Sequence, residues 1–361
     1  MKKVVLTVTA LLAMASPAWA TSVVSTDALR EWNLIVLGAL TSSSEVAGRT
    51  FVGGNLSGSS SNYMIKTPAA SPTSQPGLTV VGNVTGNTKN LNNGSGAVIG
   101  GNVTSGFNLN GPVQTVKVGG TISNTNVNQN TVISGLATSD AYFTSNLTQQ
   151  KDMLTSSLND LATSLSQLTP NSTVNIASNR ATFVSQPNSS GLAVFNMSSS
   201  DLNNFSEIAL NVNGADTVVI NVSGTNINLN KNFLGGTSGL GEHVIWNFYE
   251  ATNLSLSTAW GGSILAPHAA AQTSNYVEGS AVFASLQQNG EFHTSSSGYA
   301  YNGSYYPPAT PPGGDTGGDP GSGGSGGSGG GTPVPEPEAW LILAAGLGLL
   351  WAGRRRLSRR G

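Results

Sequence analysis

Residues 98–105 read VIGGNVTS, and close variants surround them: FVGGNLSG from position 51, VVGNVTG from 80 and VKVGGTIS from 116. With the polar residue after the glycines as reference, the four copies fall at Asn55, Asn83, Asn102 and Thr121, spaced 28, 19 and 19 residues apart. A second series, HVIWNF from 243, GSILAP from 262 and SAVFAS from 280, aligns on Ile245, Ile264 and Phe283, again 19 apart. A period near 20 built from short β-branched runs and Gly-Asn turns predicts a β-solenoid whose coils stack on one another.

Residue-level physics supports this mainly β, β-helix-like expectation with coils of roughly 19–28 residues. The run VVINVSGTNINL, 218–229, alternates apolar and polar residues as a strand with one buried face requires. Glycine pairs supply the positive φ expected at tight corners, and an asparagine at one site per coil can form a ladder of side-chain amides along the axis. A β-sandwich with Gly-rich hairpins is the alternative.

One segment breaks the period. Residues 138–168 contain no Gly or Pro, and Phe143, Leu147, Leu154, Leu158, Leu161, Leu165 and Leu168 form one helical stripe. The spacing predicts a long amphipathic α-helix over about 139–168 packed alongside the solenoid, capped by Ser139 or Asp140 and stopped by Pro170. At about 1.5 Å per residue it would reach across roughly nine coils. A coiled-coil seam is the competing role, although the stripe lapses near Gln150 and Lys151.

The two ends concern destination. Residues 1–20 carry Lys2 and Lys3, an apolar core and an Ala-Trp-Ala exit, which predicts a signal peptide removed by signal peptidase after Ala20. Residues 21–306 form the solenoid domain. Residues 307–333, nearly all Pro, Gly, Ser, Thr and Asp, read as a flexible tether. The remaining 334–361 holds Val334, Pro335, Glu336 and Pro337, then an uncharged stretch from Ala339 to Gly353 that reads as a membrane helix, and then Arg354, Arg355, Arg356, Arg359 and Arg360. The arginines orient such a helix with the body outside the cytoplasm.

That tail resembles the PEP-CTERM sorting signal of Gram-negative bacteria. The resemblance implies an exosortase-type enzyme that recognises Pro335, Glu336 and Pro337 and delivers the protein to the cell surface or an exopolysaccharide matrix. A permanent single-span anchor is the alternative. The body is similar to the choice-of-anchor A domain through NLIVLGALTSSSEVAGRTFVGGNLS from 33, TVVINVSGTNINL from 217, VIWNFYEATNLSLS from 244, GGSILAPHAA from 261 and EGSAVFASLQQNGEFH from 278. This resemblance implies an adhesin-like surface protein and carries no catalytic residues.

Several chemistries are excluded or thinly supported. The chain has no cysteine, which removes disulfides and Cys-ligated metal or iron–sulfur sites. Within 21–306, eight Lys or Arg face thirteen Asp or Glu with no basic stripe, which argues against nucleic acid. The best catalytic cluster for a secreted carbohydrate-active enzyme is Glu278, Glu291 and His293, followed by Glu242 and His243. His243, His268 and His293 are evenly spaced, but their register around the coil differs, so no metal or cofactor is expected. The Gly-x-Ser-x-Gly match at 323–327 lies in the tether, and GGTSGLG at 235–241 lacks the lysine of a phosphate loop. The expectation is an exported structural and adhesive protein, with extracellular polysaccharide as its partner.

Overall fold

The computed structural model describes residues 23–67 and 69–306. The expected signal peptide, tether and sorting segment lie outside the described residues. A short α1 (Thr26–Glu31) leads into β1 (Leu34–Val36), β2 (Leu40–Ser42) and β3 (Glu45–Val46). Further turns follow as β4 (Thr50–Val52), β5 (Leu56–Gly58) and β6 (Ser61–Tyr63), then β7 (Leu78–Val80) and β8 (Lys89–Leu91). Next come β9 (Ala97–Ile99), β10 (Phe107–Leu109), β11 (Thr115–Val118) and β12 (Thr131–Ile133). After α2 (Leu136–Ser139) and α3 (Phe143–Ser166) the chain forms β13 (Val174–Ala177), β14 (Arg180–Val184), β15 (Leu192–Ser198), α4 (Ser199–Leu202) and β16 (Glu207–Asn211). It continues through β17 (Thr217–Ser223), β18 (Asn226–Leu229), β19 (Asn232–Phe233), α5 (Leu240–His243), β20 (Val244–Asn247) and β21 (Asn253–Leu256). The last strands are β22 (Trp260–Gly261), β23 (Ser263–Thr273), β24 (Val277–Glu278), β25 (Ala281–Gln288) and β26 (Phe292–His293).

The structure is mainly β, with long parallel sheets compatible with a β-helix. The largest sheet runs β12-β11-β9-β7-β4-β1-β25-β23-β20-β17-β15, a seven-stranded sheet runs β10-β8-β6-β3-β26-β24-β22, and a four-stranded sheet joins β13, β14, β16 and β19. The pairings are parallel except the β13–β14 hairpin. The order is not the sequence order. The first turn, β1, sits mid-sheet between β4 and β25, with Leu34 opposite both Thr50 and Ala281. The chain therefore builds one half of the stack outward to β12, travels back along α3 to the far end, and returns through β15, β17, β20 and β23 to close on its own beginning.

The first-half repeat has the predicted register, with Leu56, Val84, Val103 and Ile122 bridging in sequence. The second half does not keep the Ile245–Ile264–Phe283 alignment. Ile245 pairs with Ser263, and Ile264 pairs with Ala281. β20 is buried at all four positions because its inner side packs in the core and its outer side lies under α3, so hydrophobicity does not distinguish the two sides.

The glycine pairs also do something other than expected. None of Gly53, Gly54, Gly100, Gly101, Gly119 and Gly120 has positive φ. They sit where consecutive turns approach most closely: a Cβ on Gly100 would lie 2.1 Å from the Val81 carbonyl oxygen. Positive φ belongs instead to Gly58, Gly86 and Gly106 at the next corner.

The helix is shorter than the predicted 139–168. α3 begins at Phe143 because the preceding residues form the separate α2, and Asp140 Oδ1 accepts the Tyr142 N–H at 3.0 Å in the turn between them. Ser139 instead donates to Gly135 O. The stripe is nonetheless buried: Leu154, Leu158, Leu161 and Leu165 pack on Ile35, Phe51, Val194, Val219, Ile245, Leu265 and Val282, one from each of seven strands. A rise of about 1.5 Å per helical residue against about 4.8 Å per strand spends roughly three residues of helix on each turn. Lys151 accordingly lies over Gly53, and Ala162 bonds Asn247 four strands further along.

Two buried polar groups tie this assembly. Asn196, Asn221 and Asn247 form a side-chain ladder, and the Nδ2 groups of Asn221 and Asn247 also donate to the α3 carbonyls of Leu165 and Ala162, both at 2.8 Å. Asn221→Ala should cost about 1–3 kcal/mol, read as a lower midpoint in chemical unfolding. Lys89 points inward, fully buried, its Nζ bonded to the carbonyls of Gly58 and Ser59. Burial pushes its pKa down to about 8 from 10.5. Between those values the unfolded chain binds more protons, so stability rises with pH there. Against Lys89→Met, the native protein should be less stable by up to about 3 kcal/mol at pH 7, and the gap should close towards pH 10.5; unfolding both proteins across that range checks it.

Candidate functional site: an uncharged sheet face and a glutamate–histidine patch

The outward residues of the stack fall on different surfaces. One surface lies under α3. Another is the seven-stranded sheet. A third is formed by β18, β21, the second halves of β23 and β25, then β2, β5 and the Val84, Val103 and Ile122 bridges. The strands of this third surface alternate, with β18 and β21 both exposed–buried–exposed–buried along their length. Registers place Asn228, Ser255, Gln272, Gln287, Thr41 and Ser57 in one outward row. One residue beyond the bridges, Thr85, Thr104 and Ser123 extend it. A parallel row starts Asn226, Asn253, Ala270 and Ser285 and, through Ala39, reaches Asn55, Asn83, Asn102 and Thr121.

Each row has nine places, and none of the eighteen residues is ionisable. At about 4.8 Å per strand the rows run roughly 38 Å.

Several side chains in these rows are held by the neighbouring turn. Asn55 Oδ1 accepts the Asn83 N–H, Asn83 Oδ1 that of Asn102, and Asn102 Oδ1 that of Thr121, each at 2.8 Å. In this ladder a side chain accepts from the next backbone; of the predicted amide-to-amide chain one long link is present here, from Asn83 Nδ2 to Asn55 Oδ1 at 3.4 Å. Elsewhere Asn253 donates to Asn226 Oδ1 and Ser255 to Asn228 Oδ1, both at 3.2 Å, while Thr41 and Ser57 share a hydrogen bond at 3.2 Å. True amide ladders occur on the seven-stranded sheet, where Asn108 donates to Asn90 and Asn90 to Asn62.

The predicted catalytic candidates lie at the other end of that Asn ladder. His293 Nε2 is 2.6 Å from Glu291 Oε2, and the ring stacks on Tyr276 at 4.9 Å and 14°. Glu278 is the strand neighbour of His293. Its carboxylate is committed elsewhere, accepting from Thr237 Oγ1 at 3.0 Å and the Gly239 N–H at 2.8 Å, so it braces the 235–241 glycine loop. Sequence reasoning missed Glu45, which accepts from Asn62 at 2.8 Å. The Phe292–Val46 pairing places it beside Glu291, from a strand some 245 residues away in the chain. No local signal could have found it.

The remaining candidates disperse. Glu242 accepts from Ser297, His243 Nδ1 lies 3.0 Å from Asp216 O, and His268 is exposed on β23. Among the described residues no group of three or more such side chains could hold a metal ion, and no helix is long and apolar enough to cross a membrane. Asp216 sits low for a carboxyl: burial would raise it, but hydrogen bonds from Ser304 and Thr217, with His243 nearby, outweigh that.

Glu278→Ala should therefore lower stability by about 1 kcal/mol by stripping the acceptor from Thr237 and Gly239. Glu291→Gln, at an exposed pair, should change it by less than about 1 kcal/mol; paired thermal unfolding curves discriminate the two roles.

Among curated proteins nothing matches, and among solved structures nothing matches. A family model described as "Putative Ice-binding-like adhesive domain" matches residues 25–294. That span takes in α1 and every described strand of the stack. The chain belongs to this ice-binding-like adhesive domain family.

Proposed function

We propose that this is an exported protein whose body, a β-solenoid of the choice-of-anchor A kind, serves as a structural and adhesive module at the cell surface or in the extracellular matrix, where it binds exopolysaccharide. The observation that carries this reading is the third sheet surface: long, polar, uncharged and left bare by α3 and by every other described element. Adhesion needs a broad surface more than a cleft, and membership of an adhesive family agrees with a non-enzymatic role. Removal of the leader after Ala20, recognition of Val334, Pro335, Glu336 and Pro337 by an exosortase-type enzyme, and orientation of the tail helix by Arg354, Arg355 and Arg356 complete the route outward. The membrane holds the protein at least in transit.

A second reading, a secreted lyase or hydrolase, draws on Glu291, its neighbour Glu45 and the hydrogen-bonded His293. These groups stand on open sheet rather than in a closed site, which is the weaker arrangement for general acid–base work.

The test is retention in cells. The full chain should remain with the surface or matrix fraction, and a chain lacking 21–306 but keeping its leader and tail should be lost from it. Equal retention of both would overturn the reading. Release of reducing or unsaturated ends from polysaccharide by the full chain, abolished by Glu291→Gln, would favour the enzyme.

A further inference from the structure

Resting on that reading, we infer that the ligand of the bare surface is an uncharged, hydroxyl-rich polysaccharide chain lying along the stack, held by preset amide and hydroxyl groups rather than by ion pairs. The first argument is charge. The chain has 15 Lys or Arg and 17 Asp or Glu, yet none stands in either outward row. A surface meeting an acidic polysaccharide would gain from lysine or arginine, and one meeting a cation-bridged polymer would gain from carboxylates. Charge complementarity leaves a neutral partner.

The second argument is the kind of polar group. Asn and Gln offer two donors and an acceptor, and Ser and Thr a donor and acceptors, which suits hydroxyls that themselves both donate and accept. The third argument is preorganisation. The oxygens of Asn55, Asn83 and Asn102 are tied to the following turn at 2.8 Å, which fixes the orientation of each amide. Side chains already immobilised in the free protein lose little rotamer freedom on binding. Individually weak contacts can then add along roughly 38 Å of repeating polymer. Ice is a less suitable partner, because Asn, Ser, Gln, Thr and Ala alternate along the rows and present no single repeated hydroxyl lattice.

The experiment uses the purified full chain on immobilised neutral glucan and on immobilised polyuronate, each at low and high salt. One double variant carries Arg on the surface, Thr41→Arg with Thr104→Arg, and a control carries Asn108→Arg on the seven-stranded sheet. Unchanged circular dichroism and melting establish that all are folded. The expected result is saturable retention on glucan that salt alters by less than about twofold. The double variant should weaken it by about tenfold or more and the control should not. Salt-sensitive retention on polyuronate alone, undiminished by the double variant, would overturn this inference while leaving polysaccharide adhesion standing. No retention on either polymer would overturn both. Inhibition of ice recrystallisation lost in the double variant would assign the surface to ice and overturn the polysaccharide ligand.

Discussion

Parallel pairing of each chain turn on the next brings backbones so close that side chains are forbidden at one corner, and the rest of the molecule is arranged around that closeness. Gly100 and Gly119 occupy the corner because a Cβ there would strike the carbonyl oxygen one turn back, at 2.1 and 2.0 Å. Asn55, Asn83 and Asn102, each directly after a glycine of that corner, use the same closeness, their side-chain oxygens accepting the next turn's N–H. Glycine and asparagine thus form a single device, one permitting the approach and the other bonding across it. Adjacent turns of similar length then bring like residues into line, and rows of side chains follow without further instruction.

Stacking alone does not decide which surface is left bare. The outward residues of the main sheet are apolar at Ile35, Phe51, Val219, Ile245, Leu265 and Val282, and these require a cover. α3 supplies it, and the asparagines below its C-terminal part fix its position by bonding its carbonyls. On the third surface the same alternation of strand residues turns polar groups outward, so no cover is required. Lys89 shows the opposite case, a charge drawn inside the stack and tolerated because two carbonyls at the Gly58 corner meet it.

Much of this was legible in the sequence, for reasons that differ by segment. The first-half repeat could be aligned because Asn55, Asn83 and Asn102 mark one place in each turn. The second half slipped by one residue between β20 and β23 and by two between β23 and β25, because strands such as β20 are buried on both sides and hydrophobicity does not fix their register. The apolar stripe gave the helix its face, while the turn at Asp140 that shortens it left only a weak signal. The folding of the two halves back upon each other had no signature at all: nothing near Leu34 announces that Ala281 will lie beside it. For the same reason nothing in the sequence signals Glu45 next to Glu291, whereas Glu291 and His293, which do meet, stand only two residues apart in the chain.

That return of the chain to its own beginning has a mechanical side. Thr26 bonds the carbonyl of Tyr305, and Arg30 reaches Gly303 and Tyr306, so both ends of the described chain are clasped at the flank of the stack, beside α1. A pull entering through Tyr306 would meet that clasp before it met any terminal strand. It could not peel the stack open from its tip one turn at a time, as a pull on β12 would. Several strands would have to shear together, and a body held in this way resists load better than its short individual strands suggest.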